Sequence, residues 1–307
     1  MTASPGRPAP TMSGQRRLER RWGVILALPA IVGFVVFTAG PMIASFLFSL
    51  TDWQIGGTPS PVGLANYTAL ARDELFLKSL GTTTYYTLGA VPLVLLVSFA
   101  VAMLLNQKAR GLAVWRTIFY LPTLVPAIAN VVLWLWIFNP DFGLLNALLR
   151  QGGLPTSQWI YGVDSAIPSL IVMSTWGFGN TMVIFLAGLQ GVPRHLYEAV
   201  SIDGGGAWRR FWHVTLPMMT PTIFYNLVVG VVGTFQVFNQ AYVMTEGGPD
   251  NATLFYVYYL FRKAFRESEM GYASALAWVL FMIIMVVTFL MFRNARRWVH
   301  YEMAGAR

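Results

Sequence analysis

Few residues in this chain are equipped for chemistry. Seven of them fall in one polar stretch between two apolar spans, from Val192 to Pro221: Arg194, His195, Glu198, Asp203, Arg209, Arg210 and His213. Catalysis is poorly provided for there. The histidines, His195, His213 and His300, lack His-Glu-x-x-His spacing and the chain has no cysteine, so neither a metal site nor an activated nucleophile is expected. None of the lysines, Lys78, Lys108 and Lys263, follows a Gly-x-x-x-x-Gly run, so no phosphate-binding loop is expected and the chain cannot hydrolyse ATP alone. Gly204 to Gly206 imitate a phosphate cradle only superficially, because no strand precedes them; a flexible corner is the expected use.

What the stretch does specify is a shape. Pro193 suits the first turn of a helix, and Arg194 to Ile202 contains no breaker. Asp203 to Gly206 supplies a corner, and Ala207 to Thr215 predicts a second short helix ahead of Pro217. The expectation is a helix-turn-helix elbow. Leu196, Ala199 and Val200 fall at i, i+3 and i+4, an apolar stripe suited to a partner's groove, with Glu198 on its flank four residues from Arg194.

The elements that hold this elbow are apolar helices. With 56% hydrophobic and 11% charged residues, the chain does not fit a soluble globule. Six uncharged segments are long enough to cross a hydrocarbon core of about 30 Å: residues 23–50, 80–105, 117–138, 166–192, 220–244 and 272–292. None alternates with strand period, so the expected fold class is an all-α polytopic membrane protein with six transmembrane helices. Residues 1–22 read as a disordered basic tail and 293–307 as a second tail, with the elbow at 193–219. The apolar run after the basic tail is too long for a cleaved signal segment and reads as the first span. Lysine and arginine number 15 in the two tails, the 106–116 loop and the elbow, against 6 in the three opposite loops. By the positive-inside rule both termini and the elbow are cytoplasmic, and the net basicity reports topology and anionic membrane lipid rather than nucleic acid.

No Asp, Glu, Lys, Arg or His lies inside the six segments. Proton- and ion-coupled carriers keep such groups at depth because those groups carry the coupling. Their absence predicts energy supplied from outside the chain.

Glu198-Ala199, Gly204 six residues after the glutamate, and Leu216-Pro217 together resemble the Glu-Ala-Ala loop of permease subunits in binding-protein-dependent ABC importers. The match departs at Val200, where alanine is usual, and at Val214, where isoleucine is usual. Tyr197 with Ile202-Asp203-Gly204, Thr245-Glu246-Gly247-Gly248-Pro249 with Ala252-Thr253, Gly271 to Ala275, and Phe119 to Pro122 are similar to the sugar and glycerol-phosphate branch, which includes the larger membrane subunit of the maltose transporter. The resemblance runs from about Arg21 to Arg297. It implies a type I importer permease on the plasma (inner) membrane, paired with a second, homologous permease, two cytoplasmic ATPase subunits and an extracytoplasmic solute-binding protein. ATP and Mg would be held by the ATPases, with no cofactor or metal in this chain. Leu196, Tyr197, Glu198, Ala199, Asp203, Gly204, Leu216 and Pro217 are the implied coupling residues.

A hydroxylated solute needs amides and an aromatic face at depth. Gln236, Asn239 and Gln240 fall at i, i+3 and i+4 with Tyr242 beside them, and family members use this helix in the central site. Trp176 with Asn180, and Ser274 with Trp278, repeat the four-residue spacing. Packing glue between helices is the competing use of all of these. Pro41, Pro92, Pro122 and Pro126 are expected to kink their helices. Asn66 and Asn251 match glycosylation acceptors by chance. The expected function is import of a mono-, di- or oligosaccharide. The alternatives are a glycerol-phosphate or phosphodiester importer, an ATPase-independent carrier and a membrane-embedded transferase; the last lacks an acidic or histidine cluster.

Overall fold

The computed structural model of the chain describes residues 12–107 and 110–300. The first span is a continuous rod: α1 (Met12–Phe34) passes through a π-turn at Val35–Ala39 into α2 (Gly40–Ser49). It therefore begins inside the basic segment expected to be disordered. Gln15, Arg16, Arg17, Leu18 and Glu19 are all fair helix formers, and a helix nucleated in the apolar run propagates back through them. Residues 1–11 of that tail, and 301–307 of the other, lie outside the described residues. The most apolar stretch of the rod is wholly unburied by the rest of the chain.

α3 (Ala65–Leu70) leads to α4 (Glu74–Leu105), the axial helix of the fold. α4 starts ahead of residue 80 because Asp73 caps it, its carboxylate accepting from the N–H groups of Leu75 at 2.9 Å and Phe76 at 3.2 Å. Pro92 stays inside this helix.

The third and fourth spans are each broken, which corrects the expectation of single helices over 117–138 and 166–192. α5 (Leu112–Tyr120) and a 3₁₀ turn at Leu121–Leu124 meet α6 (Ala127–Ile137) at a bend of 96°. Val125 is forced extended by Pro126, at φ −70°, ψ 128°, and the helix cannot pass. α7 (Leu144–Gln151) lies in the following loop. α8 (Ala166–Ser174) ends in a 3₁₀ turn at Thr175–Gly177 and α9 (Gly179–Gly191) leaves it at 51°. The two breaks touch. A Cβ on Gly179 would lie 2.8 Å from the Phe119 carbonyl oxygen, so only glycine lets the backbones approach this closely.

The elbow follows as α10 (Arg194–Ile202) and α11 (Ala207–Arg210). The second elbow helix does not stop before Pro217. A π-turn at Phe211–Thr215 joins α11 to α12 (Leu216–Thr234), giving one helix from Ala207 to Thr234. The wide turn carries the Leu216 N–H back to the Phe211 carbonyl and leaves Pro217, which has no N–H, in a first helical turn. Span five then ends at Thr234 rather than Met244; residues 235–238 turn, and a short π-helix runs Gln240–Thr245. α13 (Tyr256–Phe261) continues through a π-turn at Arg262–Arg266, and α14 (Met270–Ala295) is the last span.

α4 divides the interior into two cores. Its first half packs with α8, α13 and α14 around Tyr86, Phe138, Leu170, Phe255 and Leu276; its second half packs with α9, the elbow and α12 around Phe185, Leu189, Val214 and Met219. Ala102, Ala275, Ser79 and Ser98 have no exposed surface, so small residues bring the backbones together where lipid offers no hydrophobic drive for association.

The long loops close the first of these ends. Gly271 N–H donates to the Trp53 carbonyl at 2.9 Å, and Asn66 Nδ2 donates to the carbonyls of Ser49 and Thr51, both at 2.8 Å. Tyr259 and Tyr272 both donate to the Asp73 carboxylate, tying α13 and α14 to the start of α4. Lys263 pairs with Glu267 at 2.7 Å and Glu269 at 3.0 Å beside them. At the elbow end, Arg116 Nη2 donates to the Leu105 carbonyl at 3.2 Å and His300 N–H to Thr220 Oγ1 at 3.0 Å.

Candidate coupling elbow and translocation path

The corner of the elbow is set by Gly204, whose φ of +73° is the left-handed conformation that glycine adopts without a Cβ penalty. Gly205 follows under tight contact: a Cβ there would meet the Val200 carbonyl oxygen at 2.7 Å, and its own N–H donates to that oxygen at 2.8 Å. Asp203 ends α10 on the exposed side. A bond between the Tyr197 hydroxyl and Thr215 Oγ1, 3.1 Å, staples α10 to the π-turn.

This geometry corrects the apolar stripe. Leu196, Tyr197 and Val200 turn inward against the core beneath and so attach the elbow to its own spans. Leu216 and Pro217 are half-buried in the joint with span five. The face left open carries Glu198, Ala199, Ile202 and Asp203, with Trp208 beyond the corner. Ile202 is 86% exposed and Trp208 74%. Helical spacing of the apolar residues singles out neither, although Ile202 lies four residues after Glu198, an apolar residue on the helix's otherwise polar side.

A cavity of about 270 Å³ lies between α4, α12 and the start of α9. Asn180 and Thr181 from α9, Ser174 from α8, and Asn226 and Thr234 from α12 give it polar groups, over a wall of Ala90, Val91 and Ile184. Asn226 is buried and donates to the Thr222 carbonyl at 2.9 Å. Among the residues expected on the solute path, only Asn180 lines this space. Gln236, Asn239 and Gln240 do not form one helical face, because α12 stops at Thr234; Gln236 lies in the turn, its Nε2 bonded to the Val232 carbonyl at 3.1 Å. Tyr242 stacks on Phe238 at 5.1 Å near the loop end. Trp176 packs edge-on against Trp134 at 6.1 Å. Trp278 meets Phe46 at 5.1 Å, in a groove between α2 and α14 that Ser274 does not line.

The Thr245 to Pro249 turn is held by Thr253, whose hydroxyl donates to Thr245 Oγ1 at 2.6 Å, while Glu246 and Gly247 take φ of 48° and 84°. The short π-helix thus ends in two left-handed residues, a glutamate and then a glycine.

The chain therefore combines interrupted spans, an exposed Glu-Ala elbow and a cavity reached by the same helix as the elbow. Residues 95–300 match the model of the binding-protein-dependent transport system inner membrane component family. The chain belongs to that family. A probable ABC transporter permease protein of Bacillus subtilis, YesP, is 40% identical over 302 residues, covering 97% of each chain. The arabinooligosaccharides transport system permease protein AraP of the same organism is 32% identical over 297 residues, covering 94% of this chain and 93% of the relative. A permease chain in the crystal structure of a bacterial alginate ABC transporter with its pentasaccharide-bound periplasmic protein superposes with a TM-score of 0.81 at 20% identity, covering 92% of this chain and 96% of that one. The architecture is that of a type I ABC importer permease, and this family member is a multi-pass inner-membrane transport subunit.

Proposed function

We propose that this permease imports a neutral carbohydrate by alternating access. In this reading an extracytoplasmic binding protein delivers the sugar, a second permease completes the pore, and two cytoplasmic ATPases, which hold the ATP and Mg, drive it. The observation that carries the reading is mechanical: one helix, Ala207–Thr234, starts at the elbow and ends at the cavity. A displacement of the face bearing Glu198, Ala199 and Ile202 is passed through the Tyr197–Thr215 bond to the π-turn, and from there along α12 to Asn226 and Thr234.

The cavity lining supports a carbohydrate. Its polar groups are amides and hydroxyls, which match sugar hydroxyls, and no cation lines it to favour a phosphate. The excess of Lys and Arg at the elbow end supports cytoplasmic placement of the elbow and both termini.

The test is uptake by the complete importer in proteoliposomes, with arabinooligosaccharides, maltodextrins and glycerol 3-phosphate as solutes. Glu198→Lys and Gly204→Val are expected to insert and assemble normally yet abolish uptake. Glycerol 3-phosphate transport in preference to every sugar, or transport by the lone subunit without ATP, would replace this reading.

A further inference from the structure

A second cavity, of about 380 Å³, opens at the root of the elbow, where α4 and α9 end and α11 begins. Its rim is polar: Asn106 and Gln107 follow α4, Tyr197 and Thr215 are the hydroxyls of the elbow staple, and Arg210 closes the last side. Arg210 stands out. Its Nε is buried without an acceptor, and among the described residues it forms no ion pair. Leaving a buried donor unpaired is costly, and more so for a charged group, so the geometry calls for an anion.

The inner wall of the same cavity is apolar, formed by the last turns of α4 and α9 at Met103 and Leu189 and by the ring of Phe211. Both helices end within a few residues of this wall, which places the cavity where hydrocarbon gives way to headgroups. Trp208 and Trp212, 74% and 48% exposed, flank Phe211 on the outside, as aromatic side chains do at a membrane interface. A polar rim with one unpaired guanidinium above an apolar wall fits a phosphate group that carries a hydrocarbon chain. Free phosphate would leave that wall uncovered.

We infer that this cavity binds the headgroup of an anionic phospholipid of the cytoplasmic leaflet, with Arg210 on the phosphate and Asn106 and Gln107 supplying further hydrogen bonds. The lipid would wedge between the cytoplasmic ends of α4 and α9 and the root of the elbow, at the joint through which the elbow moves α12. The inference rests on the cytoplasmic placement of the elbow, and its readout is lipid retention, which is independent of the uptake that tests the coupling reading.

The experiment is native mass spectrometry of the complete importer in mild detergent after incubation with phosphatidylglycerol, phosphatidylcholine or inorganic phosphate. Wild type is expected to retain phosphatidylglycerol over phosphatidylcholine, and Arg210→Gln to lose roughly fivefold in retention, the weight of one arginine near an anionic surface. Arg209→Gln, altering an exposed neighbour outside the cavity, is expected to retain it. If the Arg210 variant does not assemble, Asn106→Leu at the exposed rim reads the same cavity, with an expected loss of roughly threefold, about one hydrogen bond. Equal retention by wild type and Arg210→Gln overturns the proposal. So does displacement by inorganic phosphate alone, which would assign the cavity to the free anion. Loss of the ATPase subunits from Arg210→Gln with lipid retention unchanged overturns it as well, in favour of a protein carboxylate.

Discussion

Asp73 and Tyr259 are 186 residues apart in the chain and are joined by a hydrogen bond from the phenol to the carboxylate, which Tyr272 reaches as well. The same carboxylate caps α4. One side chain thus fixes the starts of α4 and α14 and the position of α13 between them.

Burial alone would raise the Asp73 carboxyl, but the bonds from Tyr259, Tyr272, Phe76 and Leu75 more than offset it, so it titrates below the ordinary 3.8. A folded-state value below the unfolded one means that the stabilisation is complete above 3.8 and is lost as pH falls through the folded value. Asp73→Asn is expected to lower stability by about 1–3 kcal/mol at neutral pH. Thermal midpoints of the purified importer, compared across pH, should converge between variant and wild type only at the acid end.

Gly271 is held by space rather than by conformation. A Cβ there would lie 2.1 Å from the Thr51 carbonyl oxygen and 3.1 Å from Trp53 N, both backbone atoms that cannot rotate away. Gly271→Ala is expected to cost about 1–3 kcal/mol in the same thermal assay. Gly81→Ala is the contrast: nothing lies within 4 Å of its Cβ position, and the helix should gain about 0.5–1 kcal/mol.

Ile202 offers the largest uncovered apolar side chain on α10. If the open elbow face docks an ATPase, Ile202→Asp removes burial of about 1.5–3 kcal/mol and should weaken ATPase association roughly 10- to 150-fold, measured by binding of the purified ATPase to the permease pair. Affinity unchanged by this substitution would assign docking to a different face.

Asn226→Leu keeps the branched shape of the side chain and removes the amide from the cavity. Losing one solute hydrogen bond of about 0.5–1.5 kcal/mol should raise the apparent KM for sugar roughly 2- to 10-fold. Basal ATPase activity of the assembled importer should not change.

Features that depend on neighbouring residues are legible in the amino-acid sequence alone. The left-handed corner at Gly204, the stop at Gly247 and the unbroken α10 follow from residue types in their own few positions. Where structure and sequence expectation part, distant contacts or a false continuation are responsible. Gln236, Asn239 and Gln240 share a face only if helical period persists past Thr234, and nothing in their spacing reveals that it ends. Pro122 and Pro126 announce a break in span three, yet the 96° bend is accommodated by Gly179 of another span. The inward turn of Leu196 and Val200 is hidden for the same reason: an apolar stripe on a short helix looks alike whether it faces a partner or its own core. Asp73 with Tyr259 and Tyr272 carries no local signal at all.

The first rod is wholly unburied along its most apolar stretch, and its lower part, α2, packs on α14. The order in which these two elements are made therefore matters. During synthesis the rod enters the membrane before its berth on α14 exists, because α14 follows it by more than two hundred residues. Until α14 follows, that flank of α2 faces lipid, and the contact of Phe46 with Trp278 cannot form.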